Sequence, residues 1–366
     1  MRRRRAIEGR QLVSLEASHP GPDRAAAPVA RVSGLGRLVG WVRWRLVLAV
    51  LLVIAVPGGA YAGAGYLAYQ DLSLVHPRCG SHVYGHSTPA DFTIAESGVA
   101  QPPDPAPYRF TDFREVSFPT RGGGLAIRGW YAPPRRAGGP VVIVVHGYNA
   151  CRRDWTVLLP AGMLHRAGFG VLLPDLRNHG DSDVDDGRWA GGAKEYRDVL
   201  GAWDWLRTAG MAPERIGLFG VSLGAATVTI AMGEEPRVAA TWADSSYATF
   251  ETAATEYAEA KGYPGWVAGS AIPIGRLLGD TELGARDPGD EVLRLAGRPF
   301  FIVHGLSDTT IRPHNAVDLA ADAAHGGTAV EPWLIPNSEH VREMLLVPDR
   351  YRDRLVAFFS AALGAP

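Results

Sequence analysis

Six short, largely apolar runs, separated by segments of helical pattern, constrain the fold of this chain more than any other feature. A strand that is buried on both faces reads as a continuous apolar run, and such strands belong to parallel sheets covered by helices. Strands that alternate with helices predict an α/β fold with a doubly wound, mostly parallel sheet. The runs cover residues 140–145, 170–174, 216–219, 238–242, 299–303 and 330–334.

The regular pattern begins near residue 112, and we predict one α/β domain over residues 112–366. Its first element is a hairpin of strands 115–118 and 125–131, joined by a glycine-rich turn. In such a fold, ligands bind outside the carboxyl ends of the strands. The helices that alternate with the later strands are predicted at residues 156–167, 193–208, 225–232, 315–324 and 341–363.

The pentapeptide Gly220-Val221-Ser222-Leu223-Gly224 lies between an apolar run and a helical run. Side chains two places either side of the serine would clash with the backbone of a sharp strand-to-helix turn, so glycine suits both positions. Such a turn pushes the Ser222 hydroxyl outward. It also leaves the backbone N–H of Leu223 at a helix N-terminus, where developing negative charge is favoured. The alternative is that Ser222 is only an N-cap.

Polar side chains also follow other predicted strands. Asp308 comes after the run at 299–303, and His340 comes after the run at 330–334. Acyl transfer needs a nucleophile, a base in contact with it, an acid that orients the base, and donors for the oxyanion. Ser222, His340 and Asp308 can supply the first three, in the chain order serine, acid, histidine.

This order and the strand pattern resemble the α/β-hydrolase superfamily, and within it the esterase, lipase and serine-aminopeptidase-like branch. The resemblance extends over about residues 112–363. It rests on His146-Gly147, on Asp-x-Arg-x-His-Gly-x-Ser at 175–182, on the pentapeptide, and on His-Gly-x-x-Asp at 304–308. It implies that Ser222 is the nucleophile, Asp308 the orienting acid and His340 the general base. It also implies that the backbone N–H groups of Tyr148 and Leu223 form the oxyanion hole.

Several other residues have competing interpretations. Asp244 follows a strand and is the alternative acid. His146 and His179 lie in turn motifs where histidine more often bonds to the backbone than reacts. Cys151 has no evident base beside it and is interpreted as structural. The sequence leaves open whether Cys151 and Cys79, its only two cysteines, form a disulfide bond.

The segment at about residues 245–295 is too long for a plain crossover helix, and it is rich in aromatic and aliphatic residues. In the superfamily an insertion at this place forms a cap over the serine. The resemblance therefore implies a helical cap and suggests an apolar acyl or aromatic substrate. The alternative is that these side chains simply pack on the sheet.

Residues 46–70 contain no charged side chain, and this run of 25 residues exceeds the roughly 20 that cross a bilayer. Residues 1–45, predicted to be a disordered basic tail, contain ten arginines and three acids. This excess predicts a signal anchor with a cytoplasmic N-terminus. Residues 71–111 would be a connector to a domain outside the cytoplasm. The alternative is secretion after cleavage near Ala62.

These observations predict a membrane-anchored serine hydrolase that cleaves carboxylic esters of a small-molecule or lipid-like acyl substrate through a covalent acyl-enzyme. A serine peptidase of the same fold and a non-catalytic binding scaffold are the alternatives. The formal net charge of −1 does not suggest a nucleic-acid partner. No cysteine and histidine pattern suggests a metal, and no cofactor is expected. The oligomeric state and the substrate stay open.

Overall fold

The computed structural model describes residues 34–75, 78–79, 87–94, 98–280 and 282–366. The chain divides into two compact units, and the second begins at Pro57. Of the first unit, the structure describes only part of helix α1, which is continuous over Gly34–Ser73. The second unit contains the predicted α/β domain.

The sheet of the second unit has eight strands in the order β1-β2-β4-β3-β5-β6-β7-β8. The β1–β2 and β2–β4 pairs are antiparallel, and all other pairs are parallel. This confirms the predicted fold class. The strands are β1 Arg114–Pro119, β2 Ala126–Ala132, β3 Val141–Val145, β4 Gly170–Pro174, β5 Ile216–Val221, β6 Ala240–Asp244, β7 Phe300–Gly305 and β8 Trp333–Ile335.

Nine α-helices follow α1 within the residues that the structure describes. The predicted last helix, 341–363, is divided in two because Pro348 has no N–H to continue the hydrogen-bond ladder. The helices are α2 Trp155–Ala167, α3 Tyr196–Thr208, α4 Leu223–Glu234, α5 Phe250–Ala260, α6 Gly265–Leu277, α7 Pro288–Val292, α8 His314–His325, α9 Glu343–Leu346 and α10 Pro348–Leu363.

Apolar side chains cover both faces of the sheet. Alternate residues of β3 enter different clusters: Val141 and Ile143 pack with α3, α4 and α8, whereas Val142 and Val144 pack with α2 and α10. Successive strand residues point to opposite faces, so a wholly apolar strand contributes side chains to the apolar core on each face of the sheet. The central strands are therefore fixed from both sides, and their carboxyl ends are rigid positions for a site.

The segment between β6 and β7 contains α5, α6 and α7. Side chains of α5 and α6 form a third apolar cluster with the end of α1, including Tyr69 and Leu72. The predicted cap segment thus forms helices that pack partly on α1, and the extent of the predicted domains stays a prediction.

Helix α1 differs from the predicted span at both ends. It begins at Gly34, inside the stretch predicted to be a disordered tail, and it ends at Ser73, beyond Gln70. The last turns continue because Tyr69 and Leu72 are buried against the domain, which the local sequence cannot reveal. Helix α1 is long and apolar enough over residues 39–73 to cross a membrane, and its most apolar stretch of 18 residues has a mean hydropathy of 2.2. The rest of the predicted tail, residues 1–33, lies outside the described residues.

Cys79 and Cys151 form a disulfide bond, which resolves the alternative that the sequence left open. The cross-link joins positions 72 residues apart, one shortly after α1 and the other shortly after β3. Closing a loop of this length stabilises the folded chain by about 4 kcal/mol in the chain-entropy description.

We expect the double variant Cys79→Ser, Cys151→Ser to lower the free energy of unfolding by about 2–4 kcal/mol. Urea unfolding of the full chain in detergent measures this. A thiol reductant should lower the wild-type midpoint and leave the double variant unchanged. An unaltered wild-type midpoint would contradict a stabilising role for the bond.

Candidate active site

Ser222 is held between β5 and α4 in a conformation that few side chains adopt. Its backbone has φ 54° and ψ −122°, and its N–H donates to the carbonyl oxygen of Asp244 over 2.8 Å. A Cβ atom added to Gly220 would lie 2.3 Å from the carbonyl oxygen of Gly224. One added to Gly224 would lie 2.3 Å from the carbonyl oxygen of Val145. Both glycines are therefore required by close backbone approaches, and Ser222 carries the backbone strain.

The three residues predicted from the strand ends lie together. The Nε2 atom of His340 is 2.9 Å from Ser222 Oγ, and its Nδ1 atom is 2.7 Å from Asp308 Oδ2. The Asp308 side chain is fully buried, whereas 22% of the His340 side chain is exposed. A histidine between a serine and a buried carboxylate can accept the serine proton while the carboxylate orients it.

Asp308 accepts more hydrogen bonds than the motif alone suggests. Its Oδ1 accepts from the N–H groups of Thr310 and Ile311, both over 2.9 Å. The fully buried His304 lies 3.2 Å from Oδ2. Burial by itself would raise the pKa of the Asp308 carboxyl, but hydrogen bonds from His304 and His340 outweigh it and hold the pKa below its ordinary value. Asp308 is therefore ionised at neutral pH.

The sequence argument missed the role of His304. Its Nε2 also lies 2.8 Å from the carbonyl oxygen of Ile311, so the ring joins the Asp308 loop to the end of β7. The available signal was the spacing in His-Gly-x-x-Asp, which places His304 four residues before the acid. Because His304 acts through Asp308, it is a positioning residue.

The loop that carries His340 is strained and was not anticipated either. Val341 has φ 54°, which is unusual for a β-branched residue. Its N–H donates to Ser245 Oγ over 3.3 Å, and Ser245 itself has φ 57°. The hydroxyl of a residue after β6 thus fixes the histidine loop after β8.

The two predicted oxyanion donors lie beside Ser222. Leu223 is the first residue of α4, and the first N–H groups of a helix have no acceptor within it. Tyr148 follows β3 and shares cavity walls with Ser222. The Tyr148 hydroxyl donates to the carbonyl oxygen of Leu74 over 2.6 Å. Its ring packs on Trp189, which donates to the carbonyl oxygen of Leu72.

Two cavities meet at Ser222. One, which we call the apolar cavity, has a volume of about 90 Å³ and is lined mainly by aromatic and aliphatic side chains, among them Trp189, Tyr247 and Phe250. The other, which we call the polar cleft, has a volume of about 430 Å³ and includes Asp154 and His340 in its walls. The hydroxyl therefore faces one apolar and one polar space.

Asp244, the alternative acid, is not placed at His340. Its carboxylate accepts from Tyr351 over 2.5 Å and from Ser245 over 2.9 Å. Cys151 is held in the disulfide bond and is fully buried. Among the residues that the structure describes, no group of three or more His, Cys, Asp or Glu side chains is arranged to hold a metal ion.

His146 and His179 are buried, and each bonds to the backbone. His146 Nε2 accepts from the N–H of Leu176 over 3.0 Å, and His179 Nδ1 lies 2.8 Å from the carbonyl oxygen of Arg177. Burial lowers the pKa of His146 to about 4. Burial and the neighbouring His146 lower the pKa of His179 to about 3. Both rings are neutral at pH 7 and brace the loops after β3 and β4.

A buried neutral histidine makes stability depend on pH in one direction. The unfolded chain binds a proton below pH about 6.5, whereas folded His179 does not until pH about 3. The stability advantage of the wild type over His179→Leu is therefore largest above pH 6.5 and falls by on the order of 2–3 kcal/mol by pH 4. Denaturant unfolding across this range measures it.

The matched control is His325→Leu, which removes an exposed histidine. Its stability should follow that of the wild type through the same pH range. Buried acids whose pKa is raised, such as Glu195, also make stability depend on pH. They are present in all three proteins, so their contribution cancels when the free energies of unfolding are subtracted. If the difference in free energy of unfolding between the wild type and His179→Leu did not change with pH, the assignment of a neutral His179 ring would be refuted.

The profile of the prolyl oligopeptidase family, peptidase S9, matches residues 157–365. The chain belongs to the prolyl oligopeptidase family. The match includes Ser222, Asp308 and His340 and begins after Tyr148. This member also has the fold of the α/β-hydrolase superfamily, so the resemblance inferred from the sequence is confirmed.

Two relatives are similar over part of their length. The thiohydrolase aneE of Aspergillus aculeatus is 35% identical over 34% of this chain and 39% of its own. An uncharacterised protein of Mycobacterium tuberculosis is 30% identical over 55% of this chain and 64% of its own. The chain thus covers less than two thirds of either relative.

Solved structures share the fold at low identity. An esterase of Pyrococcus furiosus superposes with a TM-score of 0.56 and 23% identity, covering 73% of this chain and 98% of its own. An acylaminoacyl peptidase of Pyrococcus horikoshii superposes with a TM-score of 0.53 and 18% identity, over 69% of this chain and 42% of its own. An esterase and a peptidase therefore share this architecture with the chain.

Proposed function

We propose that this family member is a membrane-anchored carboxylic ester hydrolase that works through a covalent acyl-enzyme on Ser222. The observation that carries the proposal is the chain of contacts from Ser222 Oγ to His340 at 2.9 Å and from His340 to Asp308 at 2.7 Å. Contacts of this kind activate a serine hydroxyl as a nucleophile.

In the proposed reaction, Ser222 Oγ attacks the ester carbonyl carbon as His340 Nε2 takes its proton. The N–H groups of Tyr148 and Leu223 stabilise the oxyanion. The carbon–oxygen bond to the alcohol then breaks, and His340 gives the alcohol its proton. Water, deprotonated by His340, attacks the acyl-enzyme, and the acid leaves as Ser222 recovers the proton. Ionised Asp308 stabilises the imidazolium form of His340 in both halves.

The two spaces at Ser222 favour an ester with an apolar acyl group. The apolar cavity suits the acyl side, because burying a hydrocarbon group contributes about 0.8 kcal/mol per methylene. The polar cleft, with Asp154 and Arg342 in its walls, suits an alcohol that leaves to water.

Membrane anchoring through residues 46–70, with the N-terminus in the cytoplasm, is part of the proposal. The arginine excess before residue 46 supports this orientation. The Cys79–Cys151 bond supports a catalytic domain outside the cytoplasm, because disulfide bonds persist in oxidising compartments. Secretion after cleavage near Ala62 would leave the site unchanged and is the alternative.

We expect Ser222→Ala to lower kcat for p-nitrophenyl esters by about 10⁴–10⁶-fold, because the nucleophile is lost while the fold remains. A fluorophosphonate probe should label the wild type and not the variant. The matched control is Ser117→Ala on the exposed side of β1, which should keep full activity and labelling. Folded wild type that neither turns over esters nor takes the probe would favour a binding scaffold.

The match to a peptidase family favours amide cleavage as the second candidate. A p-nitrophenyl ester and the p-nitroanilide with the same acyl group compare the two activities on one site. We expect kcat/KM to be higher for the ester by at least about 100-fold. A ratio of this size exceeds what the loss of one small substrate contact typically causes. An anilide cleaved as efficiently as the ester would favour the peptidase.

A further inference from the structure

A second apolar space lies along the end of helix α1, inside the second unit of the chain. We call it the α1 groove. It has a volume of about 430 Å³, within the range of small-molecule sites. Ala64, Leu67 and Ala68 of α1 form one wall, and Tyr257 and Val267 of the cap helices form the other. The proposed reaction makes no use of this groove.

The α1 groove and the apolar cavity at Ser222 share two wall residues, Leu72 and Tyr257. Leu72 is buried, and the Tyr257 ring is half-buried between the two spaces. A hydrocarbon chain of a ligand that passes these two side chains would extend from the groove to the nucleophile. The only ion pair at the groove is Asp71 with Lys261 among the residues described here, over 3.2 Å, and both side chains are largely exposed. It marks a polar rim on an otherwise apolar space.

The groove opens at the level where the uncharged segment, residues 46–70, would leave the proposed membrane. About 20 residues cross the hydrocarbon core, so a span that starts at Leu46 ends near Gly65. Ala64 is the first groove residue. A Cβ atom on Gly65 would lie 2.7 Å from the carbonyl oxygen of Ser270, so α1 and α6 touch at this level. The first charged residue after the run is Asp71, at the rim.

Exposed apolar side chains surround the mouth of the groove. Tyr61 stacks on Trp266 with ring centroids 6.1 Å apart, and Trp266 and Tyr263 of the cap are 54% and 58% exposed. Tryptophan and tyrosine are enriched where proteins meet the lipid headgroups. This surface matches a bilayer interface, whereas large apolar patches in water are rare.

We propose that the α1 groove takes the hydrocarbon chain of a lipid ester directly from the membrane that holds the anchor. The acyl chain enters beside the point where α1 and α6 touch, between α1 and the start of α6, passes Leu72 and Tyr257, and places its ester carbonyl at Ser222 Oγ. The polar part of the lipid leaves through the polar cleft. The inference rests on the proposed ester hydrolysis and names its substrate class, a membrane-borne lipid with an acyl chain long enough to fill both spaces.

The first test compares esters of one alcohol with different acyl chains, p-nitrophenyl butanoate and p-nitrophenyl dodecanoate, with the full-length protein in vesicles. The wild type should prefer the dodecanoate. Ala64→Phe fills the groove, and the ratio of kcat/KM for dodecanoate to that for butanoate should fall at least about tenfold. Ala62→Phe adds the same ring to an exposed position of the same helix, and its ratio should stay within about twofold of wild type.

A probe on the wild type keeps the proposal testable if Ala64→Phe does not fold. A long-chain alkyl fluorophosphonate with a terminal diazirine reacts with Ser222, whose oxygen displaces fluoride, and light then crosslinks the chain end. We expect crosslinks to residues 64–72 or 257–268, read by mass spectrometry. Crosslinks confined to other residues, or an unchanged chain-length ratio in folded Ala64→Phe, would overturn the groove. Failure of Ser222 to react and of both esters to turn over would instead overturn the hydrolase function itself.

Discussion

The close approach of helix α4 to the end of β3 is the constraint on which the candidate site depends. It exists because Gly224 presents no side chain to the carbonyl oxygens of Val145 and His146, which a Cβ atom would meet at 2.3 and 2.5 Å. Gly220 allows the turn to close in the same way. The serine between them is forced to a positive φ, and its hydroxyl is lifted toward the edge where β7 and β8 deliver Asp308 and His340. The strain at one serine is stabilised by two packed cores, one on each face of the sheet.

The fold was accessible from the sequence because strands such as 141–145 are apolar at every position, which only a sheet buried on both faces explains. The positions of Ser222, Asp308 and His340 were accessible for a related reason, since each follows a buried strand and parallel strands end at one edge. His304 and Val341 were not identified, because their roles depend on contacts across loops rather than on local pattern. The same holds for the last turns of α1, where burial of Tyr69 and Leu72 extends a helix that a hydropathy argument would end at Gln70.

Around the site, the buried carboxylate of Asp308 is ionised, whereas two buried histidines are neutral. Asp308 keeps its charge because backbone N–H groups and two histidines surround it. His146 and His179, which follow β3 and β4, are kept neutral because burial removes the water that would solvate an imidazolium. A negative charge beside His340 is what the proposed acyl transfer needs, and Asp308 supplies it.

The hydrogen bond from Tyr148 to the carbonyl oxygen of Leu74 has a consequence for where the protein can work. It joins the predicted oxyanion loop to the backbone just after the end of α1. On the proposed topology, the serine works beside the bilayer that holds its own anchor. Its search for substrate is then two-dimensional, and its turnover should depend on the surface density of lipid around the anchor rather than on a concentration in bulk water.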